Sequence, residues 1–294
     1  MDIRILRYFV AVAEEKSITR AAQKLYISQP ALSKQLKELE NELELSLFER
    51  KGRNIQLTDD GKFLLSQANE IIKLMDKTIN NLDKNKEISG EIFIGAGETK
   101  GIEAILPTVS RLLSVYPTVS FDFYSGNADE IIYRLDSGFL DFGIIVEPVY
   151  KKDYEHLRLP HKEIWGILTT KNGIFKDYSS ISSKDIRNIP LSAPKQSFHD
   201  QILADWMGEN FYNLNIVSTY TLLYNTSLLV KKGISHAICI DGIINTENTD
   251  LKFIPFSPAL NSDISIIWKK NHKLSRAAEK FIDMLKESIN GVDY

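Results

Sequence analysis

The stretch Ser17–Glu40, SITRAAQKLYISQPALSKQLKELE, decides how the rest of the chain is read. Ser17 offers an N-cap for a short helix, Ile18 to Leu25, and Ser28 offers another for Gln29 to Glu42. Pro30 falls in the first turn of the second helix, where its missing N–H costs nothing. Two short helices joined by Tyr26-Ile27-Ser28 make a helix-turn-helix. Leu32, Leu36 and Leu39 share one face of the second helix and point to a core. Pro30, Ser33, Lys34 and Lys37 share the opposite face, with Gln29 at its N-terminal edge. Amide, hydroxyl and ammonium groups on one face can bond base edges and phosphates in a major groove. On spacing alone, the same face reads equally well as a solvated surface.

Upstream, residues 3–15 form an amphipathic helix, with Ile5, Leu6, Phe9, Val10 and Ala13 at helical spacing. Downstream, residues 46–58 lose that period and carry a turn signature, Arg50-Lys51-Gly52-Arg53-Asn54, between two short apolar runs. From Asp59 to about Lys86 a single long helix is expected. Leu65, Ala68, Ile72, Met75, Ile79 and Leu82 follow a 3–4 alternation, the seam of a two-helix coiled coil. A core helix packed within its own domain is the competing reading.

The remainder alternates strand and helix. Strands are expected at Glu91–Ala96, Val119–Tyr124 and Asp141–Val146, with helices at Ile102–Val115 and Ala128–Leu135 between them. This βαβαβ order implies a parallel sheet. A similar run begins at Leu191–Pro194, with helices near 199–208 and 221–232 and strands near 235–241 and 263–268. Ser275–Ile289 closes the chain as an amphipathic helix carrying Ala278, Phe281, Ile282 and Leu285. Two α/β lobes with a cleft between them follow.

Composition narrows the function. The 294 residues are 43% hydrophobic and 26% charged, with net charge −3, an ordinary soluble balance of about two domains. Residues 1–58 hold ten Lys/Arg against eight Asp/Glu, so the slight basic excess lies in the head. The one cysteine, Cys239 between Ile238 and Ile240, excludes an intrachain disulfide and fits a reducing cytoplasm. Its apolar neighbours mark a buried thiol. Tyr8–Ala13 is too short, and too close to Arg7, for a secretory leader. No apolar run approaches the roughly 18 residues of a membrane span. The five histidines show no metal-ligand spacing, and no nucleophile–base pattern stands out, so no enzyme, metal or cofactor is expected.

Specific motifs carry a family resemblance: L-R-Y-F at 6–9, S-x-T-x-A-A at 17–22, S-Q-P-A-L-S at 28–33, L-E at 39–40, L-F-E-R at 47–50 and L-T-x-x-G at 57–61. From Met1 to about Ala68 the chain resembles a LysR-type transcriptional regulator. LPTVSRLLSVYPTVSFDF, LDSGFLDFGI and SLLVKKGISHAI extend the likeness more weakly into the C-terminal part. The resemblance implies α/β architecture with an all-α winged helix-turn-helix head (1–58), a dimerising linker helix (59–89) and a two-lobed sensor (90–294) like a type 2 periplasmic binding protein. Lobe one would be about 91–161 and 268–294 and lobe two about 162–267, with crossings near Pro160 and Trp268.

The resemblance also implies partners: promoter DNA, a small-molecule effector, and a second copy of the chain in a homodimer, with two dimers joined as a homotetramer. Gln29, Pro30, Ser33 and Lys34 would face the major groove, with Thr19, Arg20 and Lys37 added, and Arg50 and Arg53 would serve the wing. Arg is frequent in the family where this chain has Lys34 and Lys37, which weakens the case for a bidentate guanine contact here. For the effector, the matching loops supply Glu98, Thr99, Lys100, Gly126 and Asn127 from lobe one, and Lys195, Gln196, Ser197 and Thr226 from lobe two. Each of these singly reads almost as well as a solvated loop side chain.

Gly95-Ala96-Gly97-Glu98-Thr99-Lys100-Gly101 approaches a dinucleotide fingerprint but has its third glycine one residue late. Helix N-termini near Thr99 and Asn127, with Lys100 and Lys195, favour a carboxylate on the effector. Glu98 departs from the small polar residue expected there; it would either pair with Lys100 or select a cationic or amine-bearing effector. A solute-binding protein and an enzyme on the same lobes are the alternatives. The first lacks a leader and has no use for the head. The second lacks a catalytic motif.

Overall fold

The computed structural model describes residues 1–51, 54–82, 87–147, 152–195, 201–208, 211 and 214–291, without the side chains of 50, 51, 54, 80–82, 201, 202 and 290. The chain divides into two compact units, Met1–Lys84 and Asn85–Tyr294.

The first unit contains α1 (Ile3–Glu15), α2 (Ile18–Lys24), α3 (Gln29–Leu43), β1 (Phe48–Lys51), β2 (Asn54–Leu57) and α4 (Asp59–Leu82). Each early boundary has a local cause. Ser17 Oγ accepts from the Arg20 amide at 3.3 Å and Ser28 Oγ from the Ala31 amide at 3.3 Å. The strands β1 and β2 pair antiparallel as a wing, so the head is helical with one hairpin rather than all-α. Leu6, Phe9, Val12, Leu32, Leu36, Leu39 and Leu47 close the core.

The motif L-T-x-x-G has a packing reason. Thr58 Oγ1 accepts from the Gly61 amide at 3.0 Å and starts α4, while a Cβ on Gly61 would sit 2.1 Å from the Leu47 carbonyl oxygen. Only glycine lets α4 approach the wing this closely. The seam expected along α4 is divided. Ala68 is buried in the head core, with Leu65 and Ile72 packed against it, while Met75 and Ile79 are exposed. The N-terminal half of the spacing therefore records packing within the head. Leu82, the last seam position, lies outside the described side chains.

The second unit begins with β3 (Gly90–Ala96), a 3-10 helix (Lys100–Ile105), α5 (Leu106–Val115), β4 (Val119–Ser125), α6 (Ala128–Asp136), β5 (Phe142–Val146) and β6 (Tyr154–Thr170). It continues with β7 (Leu191–Pro194), α7 (Gln201–Met207), β8 (Ile216–Tyr220), α8 (Leu223–Lys231), β9 (His236–Ile240), β10 (Leu251–Pro255), β11 (Asn261–Lys269) and α9 (Arg276–Asn290). In lobe one β4, β3 and β5 are parallel, and β11 runs antiparallel between β5 and the first part of β6. In lobe two the second part of β6 pairs with β9 and β10, and β9, β7 and β8 run parallel. Phe281, Ile282 and Leu285 of α9 pack into lobe one with Ile92, Ile94 and Phe142. Ile167, Leu191, Ile238 and Ile254 form a core of lobe two.

Three strands escape the sequence reading: β6, β8 and β10. In β6, Pro160 and six charged or histidine positions from 155 to 163 disguise a strand that serves two sheets. The crossings also move. β6 changes partner between Ile164, opposite Asn261, and Trp165, opposite Ile240. The chain re-enters lobe one at the start of β11, at Asn261, so Trp268 lies well inside that lobe, opposite Glu155. The helix expected from Ile102 opens as a 3-10 turn and becomes α-helical only at Leu106, just before Pro107.

Candidate functional site

In the head, α3 presents Gln29, Pro30, Lys34 and Lys37 to solvent and Ser33 half-buried, opposite the buried leucines. Gln29 Nε2 donates to Ser33 Oγ at 2.8 Å, and Lys34 lies 3.8 Å from Glu38 on the next turn. Thr19 is exposed on α2. Arg20 is exposed as well and donates to the Glu15 carbonyl at the end of α1. The Arg50 side chain and Arg53 lie outside the described residues. One residue of the recognition helix was legible only as part of a motif. Glu40 Oε1 accepts from the Leu47 and Phe48 amides at 2.7 and 3.2 Å, fastening the wing to α3.

In the second unit a cavity of about 130 Å³ opens between the lobes at the C-terminal ends of β3, β4 and β5 on one side and β7, β8 and β9 on the other. Open α/β sheets bind ligands at this end of their strands. Of the residues expected there, Glu98, Gly126, Asn127 and Lys195 line it. Gln196 and Ser197 lie outside the described residues.

Thr99, Lys100 and Thr226 are placed elsewhere. Thr99 caps the 3-10 helix, accepting from the Gly101 amide at 2.8 Å and donating to Glu163. Glu163 is 1% exposed and also accepts from the Gly101 amide at 3.3 Å. This N-terminus therefore already has its anion. Lys100 lies 4.0 Å from Asp241, and Thr226 is buried on the inner face of α8. A Cβ on Gly101 would come 2.2 Å from Ile264 Cδ1, so this last glycine of the run serves packing against β11 rather than a phosphate.

Sequence reasoning missed the apolar wall: Ile144, Ile145, Trp165, Tyr220, Cys239 and Ile240. Their strands were mostly visible, but alternation along a strand does not say which face a second lobe will cover. Trp165 Nε1 donates to Ser262 Oγ at 3.0 Å and the Tyr220 hydroxyl to the Ile238 carbonyl at 2.6 Å. Both rings thus have their polar ends satisfied and turn apolar area to the cleft. Burial pushes the Tyr220 phenol and the Cys239 thiol well up, so both stay protonated at neutral pH. Asn127 Oδ1 caps α6 at the Glu130 amide, 2.9 Å. Across the cleft, the carboxylate of Glu98 accepts from the Leu223 amide at the first turn of α8. Among the described residues, no cluster of three His, Cys, Asp or Glu side chains could hold a metal ion, and no helix is long and apolar enough to cross a membrane.

Comparison with known proteins bears on both units. Residues 3–62 match the family described as bacterial regulatory helix-turn-helix protein, lysR family, and residues 85–290 match the LysR substrate binding domain. The chain is 28% identical over 302 residues to the Hca operon transcriptional activator HcaR of Escherichia coli, covering 99% of each. It is 26% identical over 298 residues to the transcriptional regulator BsdA of Bacillus subtilis, covering 97% of this chain and all of that one. The crystal structure of full-length CbnR complexed with its target DNA matches 98% of this chain and 100% of its own, with 21% identity and a TM-score of 0.69. Full-length OxyR from Pseudomonas aeruginosa matches 97% of this chain and 99% of its own, with 24% identity and a TM-score of 0.57. The helix-turn-helix head, the two lobes with their cleft and these matches agree: the chain belongs to the LysR family of DNA-binding transcription regulators with an effector-binding domain, and is not an enzyme.

Proposed function

We propose that this regulator reads an operator in the cytoplasm through Gln29, Pro30, Ser33, Lys34 and Lys37, and that its affinity for promoter DNA is set by a small molecule held between the lobes. The reading extends to the wing residues Arg50 and Arg53 and to Thr19 and Arg20, the last also bonded to the end of α1. The observation that carries the sensing half is the apolar cavity at the C-terminal ends of both sets of parallel strands. Its volume is close to the ~150 Å³ of an apolar cavity that accepts benzene. The effector is therefore a compact molecule with an apolar body and a polar head. A carboxylate head has Lys195 as its cation on the cleft wall. It has less support from helix N-termini than the sequence implied, because Thr99 with Glu163, Asn127 and Glu98 already accept from those amides.

A regulator of this kind works as a symmetric assembly. CbnR, solved with its target DNA, shares this fold over its full length. In this chain the exposed Ile71, Met75 and Ile79, spaced four apart on α4, supply the apolar stripe for a homodimer, and joined sensor domains would give the homotetramer.

The test pairs a gel shift on the gene's own upstream DNA with thermal-shift screening of the full chain against carboxylates, amines and neutral ring compounds. A hit should alter the gel shift and lose its stabilisation in Gly97→Val. Gly97 lines the cavity, and a Cβ there meets nothing nearer than 3.9 Å, so a side chain can be started at this position into the cleft. A hit bound as well by Gly97→Val sits outside the cleft and refutes the reading.

A further inference from the structure

The helix α8 lacks a cap of its own. Its N-cap position is Leu222, an apolar side chain with no hydrogen-bonding group, where Ser, Thr, Asp or Asn is preferred. The Leu223 amide behind it belongs to a residue 1% exposed. Its partner comes from the other lobe: the Glu98 carboxylate, on the loop after β3. A carboxylate on a helix N-terminus meets both free N–H groups and the positive end of the helix dipole.

A second contact crosses the cleft from the same loop. Lys100 reaches Asp241 at the end of β9, 4.0 Å away. Its stem lies so close over Gly242 that a Cβ there would fall 1.9 Å from Lys100 Cε. Gly242 has φ +79°, a conformation that suits glycine and leaves the stem its room. Two residues of one loop, Glu98 and Lys100, therefore hold lobe two at two places, while Thr99 between them anchors the loop to Glu163 next to the strand crossing. One end of this loop is fixed and the other grips the opposite lobe.

We propose that Glu98 is an inter-lobe latch: its carboxylate occupies the anion position at the start of α8 and keeps the cleft closed when no effector is bound. The protein thus supplies its own counterpart of a ligand anion. An effector that takes over this position releases the latch, and it can shift the lobes only by its difference in affinity for the two arrangements. The proposal rests on the cleft being the effector site, but its test needs no effector. Failure of the latch would leave that reading standing.

The experiment uses the full chain with probes at Tyr133→Cys on lobe one and Ile234→Cys on lobe two, both exposed positions. Both probes are placed in a Cys239→Ser background, so that the thiol on the cleft wall takes no label when the cleft opens. The inter-lobe distance is read by paired spin labels, and exchange of the Leu223 amide by hydrogen–deuterium methods. Without any ligand, Glu98→Ala should broaden and lengthen the distance distribution and speed exchange at Leu223 at least tenfold. Glu98→Gln keeps an acceptor but loses the charge, and should fall between. Glu103→Ala removes an exposed carboxylate from the neighbouring 3-10 helix and should change neither. An unchanged distance in Glu98→Ala overturns the latch, even if Leu223 exchanges faster, because Glu98 would then be a cap and nothing more.

Discussion

Gln29 and Ser33 are bonded to each other, Nε2 to Oγ at 2.8 Å, one turn apart on the exposed face of α3. A side chain held by its neighbour meets DNA with part of its rotamer freedom already spent, which favours one geometry at the base edge. Replacing Gln29 with Ala should reduce discrimination between operator and random DNA by about 1–3 kcal/mol. Ser33→Ala should cost less, and the two together less than their sum, because either change breaks the same bond. Competition gel shifts measure the ratio. Equal specificity in Gln29→Ala would remove it from the reading surface.

Lys37 is exposed at the far end of the same face. An ammonium aimed at phosphate contributes without regard to sequence. Lys37→Ala should weaken operator and random DNA alike and lower the slope of log affinity against log salt by about 0.9. A change confined to the operator would make Lys37 a base contact instead.

Glu40 accepts two wing amides at once. Glu40→Ala leaves both without that acceptor, and each unsatisfied buried donor costs about 1–3 kcal/mol. The head should melt earlier by calorimetry while the second unit's transition stays in place. Unshifted head melting would show that water replaces the carboxylate at no cost.

The division of α4 separates two substitutions that its period alone would equate. Ile72→Glu places a charge against the head core and should destabilise the head, whereas Met75→Glu with Ile79→Glu touches only exposed positions. The second variant should keep its melting point and lose dimerisation through the linker by light scattering. An assembly of unchanged mass in the Met75→Glu, Ile79→Glu chain would place the linker contact elsewhere.

Cys239 is 2% exposed, and burial raises its thiol well above the usual range. The thiolate is the reactive form, so iodoacetamide at pH 8 should label the folded chain far more slowly than the unfolded one. Because Cys239 lines the cleft, a bound effector should slow labelling further. Fast labelling of the native chain would mean that the lobes open often without help.

The sequence carried the head almost completely, because every device there is local: Ser17 and Ser28 as caps, Pro30 in a first turn, leucines at 3.6 spacing. Lobe one was nearly as legible, since its buried parallel strands are short apolar runs bounded by turns. What stayed hidden depends on contacts far apart in the chain. β6 looked like a linker because its polar positions answer to two different sheets. Thr99 and Lys100 read as free loop residues because their partners, Glu163 and Asp241, lie more than sixty positions away. Leu222 did leave a signal, an apolar residue where α8 needed a cap, but nothing in the sequence says which side chain takes over that duty.

The shared strand sets the mechanical character of the sensor. β6 runs unbroken from Tyr154 to Thr170, hydrogen-bonded to β11 in one lobe and to β9 and β10 in the other. Two bodies joined by a slack tether can swing through any angle. Two bodies that share a bonded rib can only flex it. Travel between them is short and springs back, and a small displacement is transmitted stiffly instead of being lost in play. Such a joint makes a poor trap for a large solute and a good gauge for a small one.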